Sequence, residues 1–294
     1  FVDGSLDSVR LEGMATTLYH IFKDSVYQGN NFASGDTIVM SLTSVDSAEI
    51  QLDYIHISGG SRGVFTPDTS NKEMEAPITY TSHEIFYNMQ TEKTDLTGDA
   101  NIKYTDVELT SGYINVDWND NLLKAFPAPP ADSTVGFKKP TIVERGRDPM
   151  VGDTLVYNLK SRKGRVKQGR SKADDGYYSG VEIRNNDNKV YYIENSSYTT
   201  CDLETPHFHF ESKNMKIINN DKVIARPIVL YISRIPIIAF PFGIFPHKSG
   251  GRHSGWIMPG YGENSVRGQY INNFGYFWAP SKYWGTKFTM SFGD

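Results

Sequence analysis

Cysteine is almost absent from the 294 residues, because Cys201 is the only one. A single thiol cannot form an internal disulfide or a CxxC metal site, which leaves a buried thiol, a free thiol, or a bond to a cysteine outside this chain. The sequence also lacks any run of about 18 apolar residues, and this absence excludes a transmembrane helix within it. Membrane β-strands stay possible, since they need only about ten residues of alternating polarity.

An excess of one charge is also missing: 30 basic and 34 acidic residues give a net charge of −4. No whole-protein field therefore favours nucleic acid, and we expect no nucleic-acid partner.

Enzyme motifs are lacking as well, since GxSxG, the P-loop lysine motif and GxGxxG after a strand do not occur. His83-Glu84-Ile85-Phe86-Tyr87 opens like a zinc-protease motif, but Tyr87 stands where the second histidine is required. We predict no catalytic residue, no metal and no cofactor, and hence a protein that is not an enzyme.

Aromatic residues are abundant at 13%, with 18 Tyr and 16 Phe, and Gly, Ser, Thr and Asn are plentiful. This mixture favours pleated strands and tight turns over helices. Period-two alternation supports an all-β protein, and it recurs in four places: Ile50-Leu52-Tyr54, Ala100-Ile102-Tyr104, Ile114-Val116-Trp118 and Phe288-Met290-Phe292.

The alternation changes phase after Tyr54, where Ile55 and Ile57 take over the apolar positions. Such a slip predicts a β-bulge within a bent strand from Glu49 to Ser58. Turns are predicted at Asn30-Asn31, Gly59-Gly60 and Asn119-Asp120-Asn121. An echo between residues 35–42 and 152–159, both opening Gly-Asp-Thr, indicates that one strand unit is reused.

Prolines mark two segments. Residues 127–150 hold five prolines counting Pro127 itself, which argues against a central strand and favours a linker or long loop as a domain boundary. Residues 228–245 are apolar but contain Pro236 and Pro241, so we expect an extended segment at a sheet edge.

Two polar clusters have competing interpretations. His207 and His209, near Cys201 and Asp202, have spacing compatible with a zinc site, but packed or surface histidines beside Phe208 and Phe210 are the alternative. A cationic run suits either phosphates of an anionic glycolipid or a solvated hairpin that turns at Gly164: Lys160, Arg162, Lys163, Arg165, Lys167, Arg170 and Lys172.

The last hundred residues carry an ordered series of motifs. Tyr198-Thr199-Thr200-Cys201-Asp202 is followed by Ile235-Pro236-Ile237 and Phe240-Pro241-Phe242, and then by Arg252-His253-Ser254-Gly255 and an apolar strand that contains Pro259. This series resembles the LptD family of lipopolysaccharide-assembly outer-membrane proteins, also called organic-solvent-tolerance proteins. Residues 1–197 carry a looser resemblance to the OstA-type β-repeats of that family.

The resemblance implies an OstA-type β-jelly roll, an open two-sheet sandwich, followed by the first strands of an outer-membrane β-barrel. The expected parts are an N-terminal β-repeat part (1–126), the linker or loop (127–150), the C-terminal part of the jelly roll (151–246) and the barrel strands (247–294). About three barrel strands cannot close a barrel, so we expect the reading frame to continue past Asp294.

The implied function is transport and assembly of lipopolysaccharide, whose acyl chains the jelly roll receives and passes to a lateral gate in the barrel. The gate is assigned to Arg252, Ser254, Gly255 and Pro259, and Gly275 is a second candidate weak point. Candidate groove residues, for which ordinary core packing is the alternative, are Ile38, Met40, Leu42, Ile50, Leu52, Ile102, Tyr104, Val107 and Leu109.

The implied partners are lipopolysaccharide, an LptE-like outer-membrane lipoprotein, an LptA-like periplasmic bridge protein and the outer membrane itself. The implied location is the periplasmic face of the outer membrane of a Gram-negative bacterium. In some family members the cysteine that matches Cys201 is disulfide-bonded to the barrel. A β-solenoid enzyme that processes polysaccharide and a structural β-module of the cell envelope are the rival interpretations.

Overall fold

The computed structural model describes residues 6–23, 26–46, 49–69, 74, 76–129, 137–173, 176–187, 190–203, 205–219, 221–246, 254–257, 259–264 and 268–293. Every regular element in these ranges is a β-strand, so the predicted all-β class is confirmed. The chain divides into two units, Phe1–Gly164 and Arg165–Asp294. The proline-rich stretch 127–150 lies inside the first unit.

Unit 1 is built on six long antiparallel strands that follow one another in chain order. Four short strands complete it. The strands are β1 (Ser8–Lys23), β2 (Val26–Asp46), β3 (Glu49–Pro67), β4 (Ile78–Asn88), β5 (Lys93–Tyr104), β6 (Val107–Asp117), β7 (Leu122–Phe126), β8 (Thr141–Glu144), β9 (Met150–Val151) and β10 (Thr154–Asn158).

One line of register shifts crosses all six long strands. The register of each of the five ladders shifts at this line. The residues skipped at the shifts are, strand by strand from β1 to β6, 13–14, 35–36, 59–60, 82–83, 98–99 and 112. Gly13, Gly59, Gly60 and Gly98 have φ between +63° and +84° there, a conformation that glycine adopts without the steric cost that other residues bear. The aligned shifts bend the whole sheet along a single corner line.

The corner line separates two arms. Arm A contains the half of each long strand that lies on the same side of the corner line as β7. Strand β7 pairs with Tyr113–Asp117 of β6 and also with β10. Arm B contains the halves that lead to β8, which pairs with Val107–Thr110 of the same strand. Strand β6 therefore divides its length between two short partners.

The two arms pack face to face. The Phe65 ring of arm B lies 5.7 Å from Trp118 at the end of arm A, and Tyr19 of arm B lies 5.7 Å from Tyr87 of arm A. Both arms contribute to the buried core, for example Ile38 and Ile114 from arm A and Leu109 from arm B. This is the two-sheet arrangement expected of the predicted jelly roll.

The strand predictions succeeded where a phase change was visible and failed where glycine or asparagine was interpreted as a turn. The ladder between β2 and β3 skips Asp53, which confirms the predicted bulge. Asn30-Asn31 lies inside β2 and Gly59-Gly60 inside β3, so both predicted turns are wrong. The left-handed conformation that glycine permits serves bulges as well as turns, and here it builds the corner line.

The predicted repeat occupies similar places in the fold. Residues 37–42 form the part of β2 that follows the corner line, and residues 154–158 form β10, both within arm A. Ile38 and Leu155, which match in the two segments, are both fully buried. The reused unit is thus a polar Gly-Asp entry followed by a strand with one buried face.

Unit 2 repeats the plan of unit 1. Its strands are β11 (Gly164–Ala173), β12 (Gly176–Asp187), β13 (Val190–Thr199), β14 (Phe208–Ile218), β15 (Lys222–Arg226), β16 (Ile228–Ile232), β17 (Ile235–Phe240) and β18 (Gly243–Pro246). Like β6, β14 divides its length, because its second half pairs with β15 and Phe208–Glu211 pairs with β16. The segment 228–245, expected as one extended edge, instead forms three short strands.

A separate small sheet follows: β19 (Gly255–Ile257), β20 (Gly260–Asn264), β21 (Gly268–Trp278) and β22 (Thr286–Gly293). β19 and β20 both pair with β21, and the ladder stops at Ile257 and resumes at Gly260. The sheet is thus a meander of three strands, the number that the sequence predicts. In the described ranges, no helix has the length and apolar character needed to cross a membrane.

Candidate functional site

The predicted groove residues divide into two groups by exposure. Ile38, Ile102, Tyr104, Val107 and Leu109 are buried in the core of unit 1. Met40, Leu42 and Leu52 are half-buried, and Leu42 lies directly opposite Leu52 on neighbouring strands. The side chain of Ile50 lies outside the described part of the structure. The half-buried end of β2 and β3 therefore differs from the rest of the predicted groove, whose described side chains belong to the core.

A second apolar region, which the predicted groove omitted, lies on the hairpin of β16 and β17. Ile228 and Leu230 of β16 are buried, whereas Ile235 is 65% exposed and Ile237 is 50% exposed on β17. Ile238 pairs with Leu230 and so faces the same side as the buried residues of β16. The core face of the sheet thus continues outward into solvent at β17.

The small sheet is amphipathic. Phe288 and Met290 of β22 lie opposite Tyr276 and Phe274 of β21, so these four side chains share one face. Phe288 is 62% exposed and Met290 is 58% exposed. The other face of β22 carries Lys287, Thr289 and Ser291. Exposed apolar side chains in such number indicate a surface that contacts lipid or another apolar partner.

The hairpin and the small sheet meet through aromatic rings. The Phe240 ring at the end of β17 lies 4.5 Å from the Trp256 ring of β19, and Trp256 in turn stacks on Phe274 at 5.9 Å. We call the exposed side chains of β17 and the aromatic face of the small sheet the apolar surface.

The proposed gate residues lie at the start of the small sheet, and Arg252 lies outside the described residues. Ser254 accepts a hydrogen bond on Oγ from the Ala279 backbone N–H at 2.8 Å, and Gly255 opens β19. Pro259 is buried between β19 and β20, at the interruption of the ladder to β21. Opposite it, Asn273 has a φ of +60° and forms part of a register shift with β22.

Gly275, the second candidate weak point, lies where β21 and β22 approach each other closely. A Cβ on this residue would lie 1.9 Å from the Phe288 carbonyl oxygen, so its glycine permits close approach of β22. On β21 beside Pro259, the residue with an unusual backbone conformation is Asn273, whose φ is positive.

Cys201 is buried, with Sγ 3.7 Å from Nδ1 of His207. His209 lies apart from this pair, stacked on Tyr231 at 5.1 Å and 3.3 Å from the Glu211 carboxylate. Across the part of the chain that the structure describes, no three His, Cys, Asp or Glu side chains are grouped closely enough to hold a metal ion. The zinc arrangement therefore has no third ligand there.

The cationic run is split between the units. Arg162 of unit 1 forms an ion pair with Asp106. Desolvation opposes ionisation of that carboxyl, but hydrogen bonds from Thr105 and the Asp106 backbone, and then the Arg162 charge, lower its pKa. Arg165, Lys167, Arg170 and Lys172 are exposed on β11 of unit 2. The predicted turn precedes Gly164, which is itself the first residue of β11.

Sequence reasoning found the interruption at Pro259 but missed the exposed apolar face of β17. The prolines at 236 and 241 pointed only to an edge segment. The available signal was the apolar run itself, since Arg234 is the one charged residue between Ile228 and Phe245. A continuous apolar run on a short hairpin predicts apolar side chains on both faces, only one of which a sheet can bury.

The fold and the apolar surface define an all-β protein with an amphipathic C-terminal sheet. Residues 223–293, which include most of that surface, match the family described as LptD protein. The resemblance to the LptD family is thus confirmed over this part of the chain.

Curated relatives agree with the family match. The chain is 30% identical over 130 residues to the LPS-assembly protein LptD of Nitrosospira multiformis, an alignment that covers 43% of this chain and 14% of that protein. It is 30% identical over 97 residues to LptD of Bordetella avium, covering 33% and 12%, and 32% identical over 97 residues to LptD of Legionella pneumophila strain Lens, covering 32% and 11%. The aligned part is a small fraction of each relative's length.

Proposed function

We propose that this chain takes part in lipopolysaccharide assembly at the outer membrane of a Gram-negative bacterium, as a transport protein and not as an enzyme. The carrying observation is that the family match at 223–293 coincides with the apolar surface. The relatives are named for assembling lipopolysaccharide, a molecule with several acyl chains, and an exposed apolar surface suits such a ligand.

In this proposal the acyl chains travel along apolar side chains of the sandwich and leave along the apolar surface. Met40, Leu42 and Leu52 are the half-buried part of the predicted groove in unit 1. We call Ile235, Ile237 and Ile238, which are exposed on unit 2, the outlet. Each CH₂ group that is removed from water contributes about 0.8 kcal/mol. Many similar contacts of this kind hold a lipid while letting it slide, and no bond has to be made or broken.

The small sheet supplies the gate. Pro259 has no backbone N–H, and the ladder between the first strand and β21 is interrupted where it lies. We propose that this interruption, with Ser254 and Gly255 before it and Asn273 opposite, weakens the seam through which lipopolysaccharide enters the membrane sideways. Arg252 belongs to the same motif.

The proposed partners follow from the same reasoning. An LptA-like bridge protein adds a strand at the N-terminal edge, an LptE-like lipoprotein accompanies the barrel, and Cys201 bonds to a cysteine of the barrel. The periplasmic face of the outer membrane is the corresponding location.

Site-specific photo-crosslinking in cells tests the cargo. A photoreactive residue at Ile237 of the full-length protein should give an adduct that reacts with antibody to lipopolysaccharide, because this side chain is exposed on the outlet. Lys103, which is exposed on unit 1 and is not part of the apolar surface, is the matched control position and should give none. Equal adducts at both positions, or none at Ile237 at normal protein levels, would contradict the proposal.

A further inference from the structure

The outer face of β11 carries four cations in one row. Arg165 and Lys167 alternate with the buried Val166, as expected of a strand. Strict alternation would then turn Arg170 and Lys172 inward. Gln168 has a φ of +49°, and this bulge resets the phase so that Gly169 is buried and both following cations face outward. We call Arg165, Lys167, Arg170 and Lys172 the cationic row.

The inward side of the bulge confirms this geometry. A Cβ on Gly169 would lie 2.6 Å from Ile183 Cδ1 and 3.3 Å from Val166 Cγ1. Gly169 and Val166 therefore share the core face, and the cations lie on the opposite side.

Carboxylates neutralise only one end of the cationic row. Glu182 lies 3.3 Å from Arg165 and also pairs with Arg184. The hydrogen bond from Arg184 is the main cause of the lowered pKa of Glu182, and the nearby Lys167 adds to it. The single carboxylate of Glu182 thus interacts with Arg165, Arg184 and Lys167. Arg170 and Lys172 have no carboxylate at ion-pair distance within the described ranges.

Arg170 and Lys172 are instead held over one aromatic ring. The Arg170 guanidinium lies 5.1 Å and the Lys172 ammonium 5.9 Å from the Tyr177 ring centroid. A cation over a tyrosine face keeps its charge and its outward N–H donors. The ring positions both groups without neutralising them, so they stay available to an anion.

We propose that the cationic row binds the surface of an anionic phospholipid bilayer through the lipid phosphates. The cations are spaced along about 23 Å of strand, at about 3.3 Å per residue, which suits a surface of repeated phosphates better than one small anion. The apolar surface on the same unit favours a membrane over nucleic acid as the source of those phosphates. This inference is independent of the lipopolysaccharide cargo.

Vesicle binding by the whole chain tests the proposal. Affinity is measured for phosphatidylcholine vesicles and for phosphatidylcholine vesicles that contain phosphatidylglycerol, at low and at physiological salt. The wild type should prefer the anionic vesicles, and salt should reduce the preference. R170Q/K172Q should weaken binding to anionic vesicles by roughly tenfold or more, since each cation near an anionic surface contributes about fivefold, and should leave binding to neutral vesicles unchanged.

Three variants make the outcome decisive. R170K/K172R keeps both charges and should bind anionic vesicles like the wild type, whereas K103Q/K124Q removes two charges from unit 1 and should have no effect. Thermal unfolding of each variant checks that it folds. Equal loss in K103Q/K124Q, or an unchanged preference in R170Q/K172Q, overturns the proposal. Binding of a DNA duplex that depends on Arg170 and Lys172, without a preference for anionic vesicles, also overturns it.

Discussion

At the scale of single residues, a buried polar network links β1, β2 and β4 of unit 1. Tyr80 donates its hydroxyl hydrogen to Asn31 Oδ1 at 2.7 Å, and Asn31 Nδ2 donates to the Tyr19 hydroxyl at 2.5 Å. Asn31 and Tyr80 are both almost fully buried. One amide therefore satisfies two phenols that water does not reach freely.

Asn31→Leu should lower the free energy of unfolding by about 2 kcal/mol, because the Tyr19 and Tyr80 hydroxyl groups lose their bonds to the amide and keep only the bond to each other. Chemical denaturation measures the loss. The triple variant Y19F/N31L/Y80F removes all the polar atoms together and should recover most of the stability. If the triple variant is as unstable as Asn31→Leu alone, packing and not the lost hydrogen bonds determines the cost.

The same region predicts a loss of stability at alkaline pH. Burial raises the pKa of Tyr87 to about 12 and raises that of Tyr19 as well. Because the pKa of Tyr87 is higher in the folded state, its contribution to the free energy of unfolding is fully present below the unfolded-state pKa of about 10. That contribution is lost as pH rises from about 10 towards about 12. The tyrosines of the unfolded chain ionise at lower pH, and this ionisation stabilises the unfolded chain relative to the folded one.

We therefore expect the free energy of unfolding to fall above about pH 10. Tyr87→Phe should reduce that fall, by up to about 3 kcal/mol when pH exceeds the folded-state pKa. Denaturant unfolding at about pH 9 and about pH 11 measures the difference. A fall of the same size in the variant would show that Tyr87 does not carry this dependence.

At the scale of elements, the interrupted first strand of the small sheet makes a prediction about export. Pro259→Ala should restore a ladder hydrogen bond, stiffen the seam and slow lipopolysaccharide export in the full-length protein. Outer-membrane leakiness to large antibiotics measures the effect. Gly260→Ala is the matched control, since a Cβ there meets no atom within 4 Å. Unchanged permeability of Pro259→Ala at normal protein levels rules out the gate role.

The N-terminal strand β1 makes a second prediction at this scale. β1 pairs with β2 and is also a neighbour of β10, but the 5 residues of β10 cannot pair with all 16 of β1. An edge strand of this kind suits strand addition by a partner.

Photo-crosslinkers from Val9 to Met14 should capture a periplasmic bridge protein in intact cells. Thr79 and Thr81 are suitable control positions, because they are exposed but lie on β4 between two long strands. Persistent absence of adducts from the β1 positions counts against strand addition there.

At the scale of the whole molecule, alternation predicted the all-β class because period two reports directly which face of a strand is buried. The bulge at Asp53 was predictable for the same reason, since Ile55 and Ile57 change phase. The corner line was not, because Gly59-Gly60 and Gly98 carry the same local signal in a bulge as in a turn. The exposed face of β17 was missed since exposure depends on which strand lies alongside, and sequence periodicity does not report that.

Cys201 makes a prediction for the complete protein. Its thiol is buried beside His207 and has no second cysteine in this chain, so a disulfide must reach outside residues 1–294. Under the proposed location, an oxidising compartment, we expect the full-length protein, denatured without reductant, to resist thiol labelling at Cys201. Labelling after reduction is the control. Full labelling before reduction would show that Cys201 forms no disulfide.

The corner line of unit 1 also has a mechanical consequence. Five ladders slip at the same place, so hydrogen bonding is regular within each arm and irregular only along that line. Such a sheet resists bending within each arm and bends more easily at the corner line. Changing the angle between the arms disturbs few ladder bonds, whereas bending either arm disturbs many. The angle between the arms is therefore the dimension of unit 1 that adjusts at least cost.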